Sequence, residues 1–179
     1  MKEVISNVSL FRIAKENTKG RTAVVVTTNG IVKANGDAVM GAGIAKYAAQ
    51  NLRPIDQNLL SRFTGSPCLP TTTLPNVMGK MLRIHSNQAF YLGRWDDKVT
   101  DYTAHLLTMP TKYDWRNDSD LELIETSCRQ MMQLADINEL ETIFLPAPGC
   151  SNGHLSFAEV GPAISVILDD RFLCVHPAI

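Results

Sequence analysis

A chain of 179 residues with a formal net charge of −1 can enclose one domain with a real hydrophobic core, and a second domain is not expected. That charge balance argues against a strong general grip on nucleic acid, which needs many cations, but leaves open a single nucleotide held by backbone amides. Cys68, Cys128, Cys150 and Cys174 include no Cys-x-x-Cys pair, and His85, His105, His154 and His176 show no metal-ligand spacing, so reduced thiols, no metal and an intracellular, cytoplasmic setting are expected.

Residues 3–13 mix polar and apolar positions in a strand-like way. With Lys2, Glu3, Arg12 and Lys15 around them, they lack the apolar run of a secretory leader. A polar turn over 15–21 precedes residues 22–28, Thr-Ala-Val-Val-Val-Thr-Thr, a β-branched run that suits a strand buried on both faces. A loop over 29–39 leads to Gly41-Ala42-Gly43 and a helix over 43–52. Small residues before a helix let a ligand approach the backbone, and the first-turn amides and helix dipole suit a phosphate. Pro54 ends this helix and opens another over 55–63.

Residues 65–75, with three prolines and three successive threonines, read as an irregular loop. Segments 81–85, 89–92 and 105–109 are strand candidates. Leu121, Ile124, Cys128, Met131 and Ala135 recur at three- and four-residue steps, the apolar face of a core-packing helix. Ser119 with Glu122 has capping-box spacing at its start. Residues 142–145 form another buried strand, followed by a loop over 146–154 and a helix over 157–168. Phe157, Val160, Ile164 and Ile167 line its inner face, and Ser156 with Glu159 repeats the capping-box spacing. A strand over 171–176 closes the chain. Strand–loop–helix units with long crossovers predict a three-layer α/β domain with a mixed, partly parallel sheet. No segment nears the length of a membrane span, so no membrane partner is expected.

In open α/β sheets, ligands collect beyond the carboxyl ends of the strands. Gly41-Ala42-Gly43 and Pro148-Gly149-Cys150-Ser151-Asn152-Gly153 both follow a buried strand and precede a helix. Two such loops facing each other can clamp a diphosphate between backbone amides, without lysines. A dinucleotide fingerprint asks for a third glycine where Lys46 stands, and for glycines directly after the strand. No Gly-Lys-Ser/Thr triplet exists, which excludes a nucleoside-triphosphate P-loop.

Thr27-Thr28-Asn29-Gly30, Ala34-Asn35-Gly36 and Met40-Gly41-Ala42-Gly43-Ile44-Ala45 resemble the ribose and first phosphate loops of macrodomains, the ADP-ribose-binding modules. Leu145-Pro146-Ala147-Pro148-Gly149-Cys150-Ser151-Asn152-Gly153-His154-Leu155-Ser156-Phe157 resembles the second phosphate loop, usually Pro-x-x-Gly-Cys-Gly-x-Gly-Gly-Leu-x-Trp. Met109-Pro110-Thr111-Lys112-Tyr113-Asp114-Trp115-Arg116, followed by Ser119, is similar to the Phe-Pro-Thr-Lys-x-x-Trp-Arg segment of one branch. That branch includes the antitoxins that remove ADP-ribose from DNA, and the whole pattern also resembles proteins of the ADP-ribose 1″-phosphate phosphatase type.

The resemblance implies a single macrodomain over residues 1–179, an α/β/α sandwich that binds ADP-ribose. It implies hydrolysis of a substituent on the distal ribose, or alternatively a non-catalytic reader of an ADP-ribose-type nucleotide. Gly41, Ala42, Gly43 and Ile44 are then expected on one side of the diphosphate, and Gly149, Cys150, Ser151, Asn152 and Gly153 on the other. Asn35 and Asn29 would bond the distal ribose, and Asn7 is the nearest match to the family's adenine-reading acid. Lys112 matches a lysine acting at the anomeric carbon. Asn35, Asp37 and His154 complete the candidate catalytic set, His154 as an acid/base group that also touches ligand. Cys150 and Trp115 are read as packing residues. Ala49 and Gly153 stand where glutamate-directed relatives carry a catalytic lysine and an acid, and Ser151 replaces a usual glycine. No cofactor is implied. The expected partner is ADP-ribose or an ADP-ribosylated small molecule, protein or nucleic acid, in the cell's own cytoplasm or that of an infected host.

Overall fold

The computed structural model, which describes residues 1–177, sets the β-branched run of the sequence at the centre of a seven-stranded sheet. In β2 (Thr22–Asn29) the stretch from Ala23 to Val26 has no solvent exposure, which demands cover on both faces. Val24 and Val26 point into one core and Ala23 and Val25 into the other, the two-residue period of a strand. On either side of β2 run β5 (Tyr102–Lys112) and β6 (Thr142–Pro146), both parallel to it. Beyond β6 come β7 (Phe172–His176) and then β1 (Lys2–Ile5), again parallel. Beyond β5 the sheet turns antiparallel, through β4 (Phe90–Asp97) to a three-residue outer strand, β3 (Leu52–Pro54).

The first core is closed by α1 (Leu10–Glu16), α2 (Gly43–Asn51), α3 (Gln57–Thr64) and α4 (Leu74–Ile84), the second by α5 (Leu121–Ile137) and α6 (Phe157–Ser165). The capping box at Ser156 and Glu159 is complete: Ser156 Oγ accepts from Glu159 N, and Glu159 Oε2 accepts from Ser156 N. At α5 the cap is Asp120 and not Ser119, its Oδ1 accepting from Leu123 N at 2.8 Å.

Three elements differ from expectation. Residues 3–13 are a strand only as far as Ile5. Ser9 Oγ accepts from Arg12 N, and Leu10, Phe11, Ile13 and Ala14 turn their helical face inward. Segment 81–85 is the end of α4, whose Leu74, Val77, Met78 and Met81 are buried at helical spacing, with Pro75 tolerated in the first turn. Leu52–Pro54 pairs with β4 as a strand instead of joining two helices.

Asp97, without solvent exposure, anchors α2 to the sheet. Its carboxylate accepts from Tyr47 Oη at 2.8 Å, Thr100 Oγ1 at 2.5 Å and Val99 N at 3.1 Å. Burial, and then the bond to Asp97, pushes the Tyr47 hydroxyl's pKa up. Among the described residues no helix is long and apolar enough to cross a membrane.

A candidate ligand-binding cleft between two glycine loops

Parallel β2, β5 and β6 end on the same side of the sheet, and the loops that leave them build the site. After β2, the Asn29 side chain closes its own loop, donating to Val39 O at 2.9 Å and accepting from Ile31 N at 3.0 Å. Residues 32–38 form a small hairpin with a Val32–Ala38 bridge. Asn35 Oδ1 accepts from Asp37 N at its tip, an Asx turn. The tip is pressed on α4 so closely that a Cβ at Gly79 would collide with Gly36 O. The chain then enters α2 through Ala42, whose side chain cannot cap, leaving the first-turn amides open to an anion.

The loop after β6 bends at Gly149, φ +76°, and is tied down by Leu155 N donating to Gly149 O and Ser119 N donating to Gly153 O, both at 2.9 Å. The two glycine loops do face each other: a Cβ at Gly43 would lie 3.4 Å from Asn152 Nδ2. Between them is a cleft of about 530 Å³, lined by residues 41–45, 149 and 151–153 and by Asn29, Lys33, Lys112 and Trp115 among others.

Lys112 reaches the cleft because the β2–β5 ladder slips. Thr28 pairs with Pro110 but Asn29 with Lys112, and the bulge at Thr111 re-aims the next side chain. Lys112 Nζ donates to Asn152 O at 2.6 Å, and so spans from β5 to the second glycine loop. Behind it, Asn87 Nδ2 donates to Lys112 O at 3.0 Å and Gly30 N to Tyr113 O at 3.1 Å. The sequence offered no signal for Asn87, since a lone asparagine between two elements reads only as a turn former. Lys33 was missed as well, because its place on the cleft wall depends on the hairpin.

Other candidates stand apart. Asn35 and Asp37 belong to the hairpin tip and do not line the cleft. His154, φ +62°, faces solvent, its Nδ1 2.7 Å from Asp118 Oδ1 with both side chains about three-quarters exposed. Cys150 is half-buried outside the cleft wall and packs against the second core, where burial, then Glu159, pushes its thiol pKa up. Trp115, in contrast, lines the cleft at 51% exposure and lies under the Arg116 guanidinium, so it does more than pack the loop. Ser119 Oγ lies beneath the second loop, buried and without a hydrogen-bond partner. The described lining contains no Asp, Glu or His; its ionisable groups are Lys33 and Lys112.

A second cavity of about 420 Å³ adjoins the first, sharing Gly43, Ile44 and Pro146 with it. Asn7 lines it, with Phe11 stacked on Tyr47 at 5.4 Å between ring centroids, and with His176. Its described lining holds no Asp, Glu, Lys or Arg. Among the described residues no group of three or more His, Cys, Asp or Glu side chains is arranged to hold a metal ion.

No family model matches the chain. Over 74 residues, 40% of its length, it is 30% identical to a DNA ADP-ribosyl transferase–DNA ADP-ribosyl glycohydrolase fusion protein of Thermosipho africanus, and the match spans 19% of that relative. Among solved structures, the macrodomain of Mycobacterium tuberculosis DarG superposes with a TM-score of 0.62 at 20% identity, over 98% of each chain. Thermosipho africanus DarTG, solved in complex with ADP-ribose, gives 0.57 at 19% identity, over 87% of this chain and 38% of that one. At such identities the likeness is one of fold, and it agrees with the mixed seven-stranded sheet and six helices described above. The chain has the macrodomain fold.

Proposed function

We propose that the chain binds ADP-ribose across the two adjoining cavities and hydrolyses a substituent from its distal ribose. The aromatic second cavity, whose described lining holds no Asp, Glu, Lys or Arg, suits the adenine. The shared wall at Gly43 and Ile44, with the uncapped amides of α2 on one side and the loop 149–153 on the other, suits the diphosphate. The distal ribose then extends toward Lys112. The observation that carries the reading is the placement of this amine, fixed by a bulge and by Asn152 O, between two facing glycine loops. At an anomeric carbon an amine acts as nucleophile or as donor to the leaving group. The leaving group is a base in DNA, an amino-acid side chain or a phosphate, all attached at or beside one carbon.

A second reading, a reader that binds without turnover, is favoured by one feature: the described cleft lining carries neither carboxylate nor imidazole to activate water. Calorimetry with ADP-ribose, run beside a product assay on a panel of ADP-ribosylated substrates, separates the two. For the hydrolase, Lys112→Ala lowers turnover by about a hundredfold or more while ADP-ribose affinity stays within about threefold. Tight binding with an inert panel leaves the reader, and absence of ADP-ribose binding overturns both.

A further inference from the structure

We propose that Lys33 determines specificity by reading a phosphoryl group carried on the distal-ribose substituent, an inference that rests on the ADP-ribose pocket proposed above. Lys33 sits on a rigid rim. The hairpin 32–38 is closed by Lys33 N donating to Asp37 O at 2.8 Å and by Gly36 N donating to Lys33 O at 3.0 Å. It is fastened to α4 by Ala38 N donating to Pro75 O at 2.9 Å and by the close approach of Gly79 to Gly36. The hairpin presents one cation to the cleft and keeps its acid away. Lys33 lines the wall, while Asp37 stays at the turn beside Asn35 Nδ2. Among the described residues no carboxylate lies within ion-pair distance of Lys33.

Backbone amides at a helix N-terminus and a glycine loop can hold a diphosphate with no lysine at all. Two ammonium groups on a wall without a described carboxylate therefore exceed what the diphosphate needs, and their field favours a ligand with a further negative group. The second cavity has no such cations, so the charge is placed and not diffuse. Lys33 and Lys112 line the first cavity and not the second, and in the reading above the first cavity takes the distal ribose. The extra anion thus belongs at the distal-ribose end. Its chemistry is a phosphoryl oxygen, supplied either by a phosphate monoester on the anomeric carbon or by the phosphodiester beside an ADP-ribosylated nucleotide.

The test is calorimetry on the full chain with four ligands, the substituted ones carrying a non-hydrolysable methylene in place of the scissile atom at the anomeric carbon: ADP-ribose, the analogue of ADP-ribose 1″-phosphate, the analogue of an ADP-ribosylated nucleoside, and the same nucleoside analogue within a short single-stranded oligonucleotide. The wild type is expected to prefer the phosphoryl-bearing member of at least one pair by about tenfold or more. Lys33→Met removes most of that preference and leaves ADP-ribose affinity within about twofold, whereas Lys33→Arg retains it. The pair that responds identifies monoester or diester. Equal weakening of all ligands by Lys33→Met would assign Lys33 to the diphosphate and overturn the inference, as would a wild type that binds ADP-ribose with no phosphoryl preference. A wild type that binds none of the four removes the pocket reading itself, and this inference with it.

Discussion

The two glycine loops that face each other across the cleft carry glycine for different reasons. At Gly41, in the first loop, a Cβ would meet nothing within 4 Å, so the protein itself does not require glycine there. In the second loop a Cβ at Gly153 would collide with Ser119 Oγ and lie 2.5 Å from Gly149 O. One at Gly149 would sit 3.0 Å from each of Ile124 Cδ1, Leu155 Cδ1 and Ser119 Cβ. In the first loop Gly43, at φ +53°, answers to the backbone while nothing in the fold asks for glycine at Gly41; the second loop is kept small by the core it is folded onto. A glycine-rich motif in sequence thus hides two demands, and only packing separates them.

The largest effect that sharpens this contrast is expected at Gly153. Gly153→Ala overpacks the second loop and lowers stability by about 2 kcal/mol or more, seen as a fall in the denaturation midpoint without a change in slope. Ser119→Ala in the same chain rescues it only in part, because Gly149 O remains in the way. Next comes Gly41→Val, which should leave stability within about 0.5 kcal/mol yet weaken ADP-ribose binding about tenfold by calorimetry. An equal loss of stability at the two positions would erase the distinction.

Smaller still is Asn87→Ala, which frees Lys112 O and costs about 1 kcal/mol. In the hydrolase reading a loosened backbone at Lys112 misplaces its amine, so turnover should fall more than affinity. The smallest effect lies away from both loops, at the Tyr91 Oη–His105 Nδ1 contact of 2.7 Å. Burial, then Arg21 and less strongly Arg94, hold the His105 imidazole below its ordinary pKa, with Asp56 opposing them. The unfolded chain therefore takes the proton first. Stability is full above about pH 6.5 and declines as pH falls from there toward the folded value. Melting temperatures between about pH 7.5 and 5.5 should show this slope, and His105→Gln should flatten it without touching ligand affinity.

Much of the scaffold was legible because its signals are local. The run 22–28, the periodic face of α5 and the Ser156–Glu159 box appear where their residue types place them, while α6 ends at Ser165, short of the expected 168, and leaves Ile167 in the turn beyond it. The departures share one cause, that tertiary pairing outweighs local appearance. β3 exists only because Leu52–Pro54 meets β4. Residues 81–85 carry apolar Met81, Leu82 and Ile84 that suit a strand, yet they complete a helix begun inside what reads as a proline–threonine loop. α1 did carry a signal, Ser9 ahead of Leu10, Phe11, Ile13 and Ala14, masked by the alternation before it. At the site, both glycine segments and Lys112 could be placed from motif order. Lys33, Asn87 and the unpartnered Ser119 hydroxyl could not, since their relevance comes from a hairpin, a bulge and a close packing that no short window contains.

The sheet's outermost strands have a consequence for how this molecule meets others. One margin is three residues long and ends in a proline, which cannot offer a ladder N–H. The other is four residues long and carries Lys2 and Glu3. Neither margin is a good template for a foreign strand, so polymerisation by sheet extension is disfavoured.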